Sequence, residues 1–206
     1  MIEQLVLASG NAGKLREFRE LLAPLHIDVI AQSELRIPEA PEPHLTFVEN
    51  ALAKARHASA HAKLPALADD SGVCVDALGG APGVQSARYG GEPRSDARNN
   101  DKLVAALRGV VDRRAHYTCV LVLVRHPDDP EPLIASGRAP GLITERPIGD
   151  NGFGFDPVMF LPAFGKTFAE LPTEVKNANS HRGRAAQQML ALMRERWFAP
   201  APGAGA

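Results

Sequence analysis

The stretch that most constrains the fold is the apolar segment 115–125, which reads AHYTCVLVLVR. Near-continuous apolar runs of this kind are typical of strands that are buried on both faces of a sheet. We therefore expect residues 115–125 to form the centre of a β-sheet. The chain of 206 residues is long enough to surround that sheet with one substantial core, or with two small lobes around a cleft.

The N-terminal segment predicts a strand, a Gly-rich turn and a helix. A β run at residues 2–8 leads into SGNAGK, and an amphipathic helical pattern begins at Lys14. Backbone N–H groups at such a helix start suit a phosphate, and Lys14 adds positive charge without a predicted packing role. The turn differs from a P-loop, because Gly10 and Gly13 are too close together and Leu15 replaces the Ser or Thr. A P-loop ATPase is therefore disfavoured, and a plain βα turn remains the alternative.

Two adjacent acids, Asp69 and Asp70, lie in the segment LADDSG between the apolar runs 64–68 and 73–78. Carboxylates this close repel one another and raise each other's pKa, a penalty that an oxygen-bound Mg²⁺ would remove. We interpret the segment as a tight turn, permitted by Gly72, that aims both acids into one space. The alternative is an ordinary exposed turn, since Asp, Ser and Gly all favour turns.

The remaining helices, strands and loops are predicted from N-cap residues and from Pro and Gly, which interrupt regular structure. Thr46 and Glu49 form a capping box for a helix that runs to about residue 63, Ser95 begins a helix to about 107, and Ser180 caps the last helix. Further strands are expected at residues 28–32 and 133–144, the latter interrupted by Gly137 and Pro140. The Pro-rich segment 33–45 and the Gly-rich segment 79–91 are predicted loops. The Ala, Pro and Gly tail at 199–206 is predicted to be disordered.

Two later segments carry candidate ligand contacts. In GDNGFGFDP, residues 149–157, Phe153 and Phe155 are suited to stacking on a planar base, although one of the two rings is expected to pack into the core. In SHRG, His181 and Arg182 add positive charge to a helix N-terminus that is already positive. An anionic or carbonyl-bearing ligand would explain that placement.

Composition excludes several classes of protein. A net charge of −1 provides no overall field for a nucleic-acid backbone or an anionic membrane. No apolar run is long enough to span a bilayer, and the N-terminus lacks a signal-peptide pattern. The two cysteines, Cys74 and Cys119, lie in apolar runs and are predicted to be reduced, buried residues of a cytosolic protein.

The order of motifs resembles one family over nearly the whole chain, from about residue 5 to 197. The segments SGNAGK, TFVENALAKAR, LADDSG, GGAPGVQSARYGG, GFGFDP and SHRG together resemble the inosine triphosphate pyrophosphatases, also called XTP/dITP diphosphatases. The resemblance implies an α/β fold with a mixed central sheet flanked by helices and two lobes around a substrate cleft, within one catalytic domain at residues 1–198. It also implies hydrolysis of ITP, dITP and XTP to the monophosphate and pyrophosphate by a Mg²⁺-dependent, cytoplasmic homodimer.

The same resemblance implies roles for individual residues. Asp70 would be the catalytic base, and Asp70, Glu42 and Asp69 would hold the metal. The residues that would bind substrate are Ser9, Gly10, Asn11, Ala12, Gly13, Lys14, Ser71, Phe153, Gly154, Phe155, Asp156, Lys176, His181 and Arg182. The chain departs from the family pattern at His44, where Gly is usual, and at Phe155, where Tyr is common.

Other classes of protein remain as alternatives. A phosphatase with an Asp nucleophile usually has two acids separated by one residue, whereas Asp69 and Asp70 are adjacent. Such a phosphatase would release orthophosphate rather than pyrophosphate. A non-catalytic nucleotide-binding module would retain its nucleotide unchanged, but it has no need of paired acids. A serine hydrolase is a weaker alternative, because the sequence around Ser71 lacks the G-x-S-x-G motif.

Overall fold

The structure is a computed structural model that describes residues 2–10, 12–23 and 26–197. The chain divides into two compact units. The first unit comprises residues 1–70, 120–136 and 185–206, and the second comprises residues 71–119 and 137–184. The predicted disorder at 199–206 concerns residues outside the described part of the chain.

The strands of the described residues form a mixed seven-stranded sheet in the order β2-β1-β3-β4-β5-β6-β7. Strand β1 pairs in parallel with β2 and β3, whereas β6 pairs antiparallel with β5 and β7. Strand β4 has three strands on either side, which confirms that the apolar segment forms the sheet centre. The strand bounds are β1 Gln4–Leu7, β2 Asp28–Ala31, β3 Ala66–Val75, β4 Arg114–Val124, β5 Leu133–Ile143, β6 Met159–Leu161 and β7 Lys166–Thr167.

The helices begin where the predicted caps lie. Thr46 Oγ1 accepts from Glu49 N at 3.4 Å, and Ser95 Oγ accepts from Arg98 N at 3.3 Å. Ser180 Oγ accepts from Gly183 N at 3.0 Å, so all three predicted N-caps are confirmed. The helix bounds are α1 Ala12–Leu22, α2 Phe47–Ala62, α3 Asp96–Ala106, α4 Thr173–Asn179 and α5 His181–Arg196.

The acidic segment lies in a continuous strand, so the predicted turn is wrong. Strand β3 runs for 10 residues through Asp69, Asp70 and Gly72. Gly72 is needed for close packing, because a Cβ there would overlap Gly83 O and Ser86 Oγ. Consecutive strand residues point to opposite faces as a rule, yet the charges of Asp69 and Asp70 both raise the pKa of Lys54. The expectation that both acids are aimed into one space therefore stays a prediction.

Strand β5 is also continuous, although an interruption at Gly137 and Pro140 was predicted. Its residues alternate between buried and exposed along the whole strand. Pro140 is exposed and precedes Leu142 and Ile143, the residues that pair with β6. The strand therefore accommodates the missing N–H of proline ahead of that pairing.

Each unit has its own apolar core. In the first unit, Ala51, Ala55 and Ala58 of α2 pack with Val6 and Val122. In the second unit, the core includes Leu103, Leu107, Tyr117, Phe155 and Phe168.

The sequence predicts that both cysteines are reduced and buried, and the burial is complete only for Cys119. Neither forms a disulfide, and Cys119 is buried whereas Cys74 is half-buried. Among the described residues, no helix has the length and apolar character that a membrane span requires.

Candidate active site

The two adjacent acids of β3 pair with different lysines of the first unit. Lys14 Nζ, in the first turn of α1, lies 2.7 Å from Asp69 Oδ2 and donates to Asp69 Oδ1 at 3.0 Å. Lys54 Nζ, on α2, lies 3.2 Å from Asp70 Oδ1. Each carboxylate is therefore ion-paired with a different lysine, while the charge of Asp69 also acts on Lys54.

Lys54 also brings the predicted loop acid next to Asp70. Its ammonium donates to Glu42 Oε1 at 2.8 Å, while Asn50 Nδ2 donates to Asp70 Oδ2 at 3.2 Å. The amide of Asn50 also bonds both backbone groups of His44, at 3.0 Å and 3.2 Å. Asn50 therefore holds the loop through the backbone of His44. Although His44 stands where the family usually has glycine, Glu42 lies beside Lys54, the lysine that contacts Asp70.

Burial and charge shift the ionisation of this cluster. Burial raises the pKa of Asp70, and the nearby Glu42 charge adds to that shift, whereas Lys54 and Asn50 oppose it. Burial acts to lower the pKa of Lys54, but the charges of Asp69, Asp70 and Glu42 outweigh it, so the pKa of Lys54 is raised. Asp70 is consequently a stronger proton acceptor than an exposed aspartate, next to a lysine that stays charged.

The donor set of this cluster fits a magnesium ion that also takes ligands from a substrate. Mg²⁺ is usually held by one or two carboxylates together with phosphate oxygens and water. Glu42 and Asp70 supply two carboxylates that already share one cation, the Lys54 ammonium. The Asp69 carboxylate contacts Lys14, and its part in the metal site stays a prediction. Within the described ranges, no three acidic, His or Cys side chains gather into a metal-binding group.

The predicted phosphate turn leads directly into α1, which begins at Ala12 rather than at Lys14. Ser9 is half-buried and its N–H donates to Leu7 O at 2.9 Å. Gly10 is exposed, and a Cβ there would lie 3.0 Å from Glu39 Oε1. Gly13 lies in the first turn of the helix, and Asn11 lies outside the described residues.

In the second unit, Asp156 is the centre of a buried polar cluster. Its Oδ2 accepts from Lys176 Nζ at 2.7 Å and from Phe153 N at 3.0 Å. Its Oδ1 accepts from the Tyr117 hydroxyl at 3.0 Å. Burial, followed by the charge of Asp156, raises the pKa of Tyr117 well above its usual value, so the phenol remains a donor. The structure therefore assembles Phe153, Asp156 and Lys176, which the sequence predicts to bind substrate.

The two phenylalanines of GFGFDP have different environments. Phe153 is 38% exposed, with Lys176 Nζ 4.9 Å and the Arg182 guanidinium carbon 5.1 Å from its ring centroid. Phe155 is 4% exposed and packs in the core of the second unit. Phe155 is thus the ring that packs inside, and only the side chain of Phe153 is presented for stacking.

The SHRG segment is held close to the same cluster. The His181 ring stacks on Tyr117, with centroids 4.5 Å apart and an interplanar angle of 11°. Arg182 Nη2 lies 3.4 Å from Ser71 Oγ, so these two residues, both predicted to bind substrate, are also brought together. A Cβ at Gly183 would overlap Asn177 O, which explains why glycine follows Arg182.

Helix α3 fixes the backbone of the GFGFDP loop at Gly154. Asp96 Oδ2 accepts from Gly154 N at 2.7 Å, and Asn100 Nδ2 donates to Gly154 O at 3.0 Å. One turn of α3 therefore bonds both backbone groups of the glycine. These contacts limit where the neighbouring Phe153 can lie.

Several residues of these clusters were not predicted from the sequence. Lys54 resembles a solvated cation on an amphipathic helix, and Tyr117 resembles an ordinary core residue of an apolar strand. The available signals were an Asn and a Lys one turn apart on α2, and a polar hydroxyl inside the most apolar strand. The residues missed are Asn50, Lys54, Asp96, Asn100 and Tyr117.

Comparison with known proteins now places the chain. The model of the Ham1 family matches residues 5–192. The chain belongs to the Ham1 family. A relative from Paracidovorax citrulli (strain AAC00-1), named dITP/XTP pyrophosphatase, is 63% identical over 198 residues, covering 95% of this chain and 100% of the relative. The family predicted from the order of the motifs is therefore confirmed.

Solved structures of Ham1 proteins share the fold. The HAM1 protein of Coxiella burnetii has a TM-score of 0.90 and 46% identity, with 95% of this chain and 100% of that chain covered. The Ham1 protein of Staphylococcus aureus has a TM-score of 0.85 and 39% identity, with 93% and 98% covered. These values confirm the predicted α/β architecture with a mixed sheet flanked by helices.

Proposed function

We propose that this chain is a pyrophosphatase that hydrolyses ITP, dITP and XTP to the monophosphate and pyrophosphate, and so removes deaminated purines from the nucleotide pool. The observation that carries the proposal is the buried Asp70 carboxylate between Lys54 and Asn50, with Glu42 on the same lysine. Relatives at 59–64% identity bear the name dITP/XTP pyrophosphatase, which supports the choice of substrate.

Hydrolysis of a phosphoanhydride needs a positioned water and cations on the phosphates, with little covalent chemistry from the protein. We assign proton acceptance to Asp70, whose raised pKa suits a general base. The water oxygen bonds to phosphorus, the bridge between the α- and β-phosphates breaks, pyrophosphate leaves, and the water proton passes to Asp70. Lys14 and Lys54 are cations of the first unit that can offset phosphate charge.

We further propose that Mg²⁺ is the cofactor, held by Glu42 and Asp70. When bound, it supplies charge neutralisation and polarises the phosphate. Asp69 is proposed to act together with Lys14, because the two side chains already form an ion pair. In this proposal Asn11 and Ala12 of the phosphate turn also bind substrate, as the sequence predicts.

Selection of the base is assigned to the cluster of the second unit. Phe153 would stack on the base, while His181 and Arg182 would donate to an oxygen at its six position. Hypoxanthine and xanthine carry that oxygen, whereas adenine carries an amino group that would leave donors facing donors. Such a mismatch is able to reduce kcat/KM by about 10⁴-fold. We expect ITP and XTP to be the best substrates, GTP to be clearly worse, and ATP and pyrimidine triphosphates to be poor.

The proposal includes a homodimer in the cytoplasm. Cys74 and Cys119 form no disulfide, as is usual for proteins of a reducing compartment. The homodimer follows from the family resemblance, and light scattering on the purified chain tests it. A single species with the mass of one chain, 22.0 kDa, would contradict the dimer.

The experiment that tests the function is incubation with ITP and Mg²⁺, followed by identification of all products. Wild type should yield IMP and pyrophosphate in equal amounts. Asp70→Asn keeps the shape of the side chain but removes the base, so turnover should fall by about 10²–10⁴-fold. Circular dichroism should show that the variant remains folded.

Asp76→Asn is a matched control, because Asp76 is an exposed acid just after β3. It should keep wild-type turnover. Release of IDP and orthophosphate would instead favour the phosphatase alternative. Asp70→Asn turnover within about tenfold of wild type would remove Asp70 from the role of base.

A further inference from the structure

A single aromatic residue, Tyr117, contacts both segments that are assigned to the base. Its hydroxyl donates to Asp156 Oδ1 at 3.0 Å, and its ring stacks on His181 at 4.5 Å. Phe168 closes another side of the ring, edge-on, at 5.4 Å. Because β4 is buried at this point, Tyr117 has little freedom to move.

The hydroxyl of Tyr117 determines the orientation of the Asp156 carboxylate. The other carboxylate oxygen binds Lys176 Nζ and Phe153 N, at 2.7 Å and 3.0 Å. Rotation of the carboxylate would disturb both of these contacts, since one oxygen makes them both. Hydrogen bonds to a charged group contribute more than those between neutral groups, so loss of the phenol releases a strong restraint.

The ring of Tyr117 has a separate effect on His181. Parallel stacking at an angle of 11° fixes the plane of the imidazole, and therefore the directions in which its two nitrogens point. A group that donates to a base must be held in direction as well as in place. Tyr117 thus restrains Phe153 and Lys176 through its hydroxyl, and His181 through its ring.

We propose that Tyr117 is a positioning residue for base selection, which holds the GFGFDP and SHRG segments in the arrangement that favours an oxygen at the six position of a purine. This inference rests on the proposed function of the site. Tyr117 acts through Asp156 and His181, and it is not assigned contact with the substrate.

The test is the ratio of kcat/KM for ITP to kcat/KM for ATP in Tyr117→Phe. This ratio does not depend on the fraction of folded enzyme, so a purely structural defect leaves it unchanged. Tyr117→Phe keeps the stack on His181 but removes the bond to Asp156, and the ratio should fall by about tenfold. Tyr117→Leu removes both contacts, and its ratio should fall further.

Tyr89→Phe is the matched control, because it makes the same chemical change at the other tyrosine of the chain. It should retain the wild-type ratio. A wild-type ratio in Tyr117→Phe, or equal losses for ITP and ATP, would overturn the inference while leaving the proposed function intact. Failure of the proposed function would be seen separately, as wild type that releases no pyrophosphate from ITP.

Discussion

Lys54 Nζ lies between two carboxylates, 2.8 Å from Glu42 Oε1 and 3.2 Å from Asp70 Oδ1. Lys54→Met keeps the length of the side chain but removes the cation. We expect turnover of ITP to fall by about 10²-fold, which is typical for loss of one electrostatic contact in an active site. Steady-state kinetics at saturating ITP measure the effect.

The control for Lys54 is Arg56→Met on the same helix. Arg56 is exposed, and its guanidinium donates to the backbone carbonyl of Asp129 at 3.5 Å. It should keep wild-type turnover. Equal turnover in Lys54→Met and Arg56→Met would show that Lys54 has no part in catalysis.

We expect Lys14 to contribute to stability, although the sequence predicts no packing role for it. It pairs at 2.7 Å with Asp69, whose side chain is 1% exposed. Removing one partner of a buried ion pair typically costs about 3–5 kcal/mol. Lys14→Met should therefore lower the free energy of unfolding by roughly 3 kcal/mol, measured with urea.

A double-mutant cycle separates the pair from its surroundings. The combined variant Lys14→Met with Asp69→Asn should be less destabilised than the sum of the single variants, by about 1–3 kcal/mol. Additive losses would mean that the two side chains do not interact in solution.

Gly152 leaves the space that the ion pair between Asp156 and Lys176 occupies. Its φ is +81°, and a Cβ there would overlap Asp156 Oδ2 and lie 3.0 Å from Lys176 Nζ. Gly152→Ala should raise the KM for ITP by about tenfold, because a displaced carboxylate loses a charged hydrogen bond. Gly165→Ala is the control, since Gly165 has a φ of +63° but open space around its Cβ position. If both variants raise KM equally, backbone strain rather than the clash is responsible.

Asp129 makes stability depend on pH in the acid range. It is fully buried and accepts from Arg125 Nη2 at 2.6 Å, Arg125 N at 2.9 Å and Glu131 N at 3.0 Å. The Arg125 side chain is the main reason that the pKa of Asp129 is held well below its usual range. A depressed pKa in the folded state stabilises the protein above the unfolded pKa of about 3.9, and this stabilisation is lost as pH falls towards the folded value.

Asp129→Asn should consequently lower the free energy of unfolding by about 2 kcal/mol at neutral pH. The difference from wild type should shrink below about pH 4, as the wild-type carboxylate begins to take up protons. Urea unfolding at several pH values measures it. Asp128→Asn, at the exposed neighbouring residue, should show no such dependence. A difference that stays constant down to pH 3 would contradict the account.

Local signals predicted much of the fold, because caps and apolar periodicity act over short distances. Thr46, Ser95 and Ser180 were correctly placed as N-caps, and the segment at Ala115 as the sheet centre. The turn predicted at the acidic segment was wrong. Its residues favour turns, but strand pairing and the close approach of Ser86 to Gly72 hold them in a strand.

The candidate site was predictable where motifs carry it and not where distant residues complete it. Asp70, Asp156 and His181 lie in recognisable motifs. Lys54 and Tyr117 acquire their roles from residues far away in sequence, since Lys54 bonds to Asp70 and Tyr117 bonds to Asp156. A helix pattern or an apolar strand does not reveal such partners.

The most direct test of the central claim is a competition reaction that contains equal concentrations of ITP and ATP with excess Mg²⁺. The ratio of IMP to AMP at low conversion gives the ratio of the two kcat/KM values, and the phosphorus products give the bond that breaks. The account predicts that IMP exceeds AMP by at least about a hundredfold, with one pyrophosphate for each IMP and no IDP. Equal amounts of IMP and AMP, or IDP with orthophosphate, would contradict it.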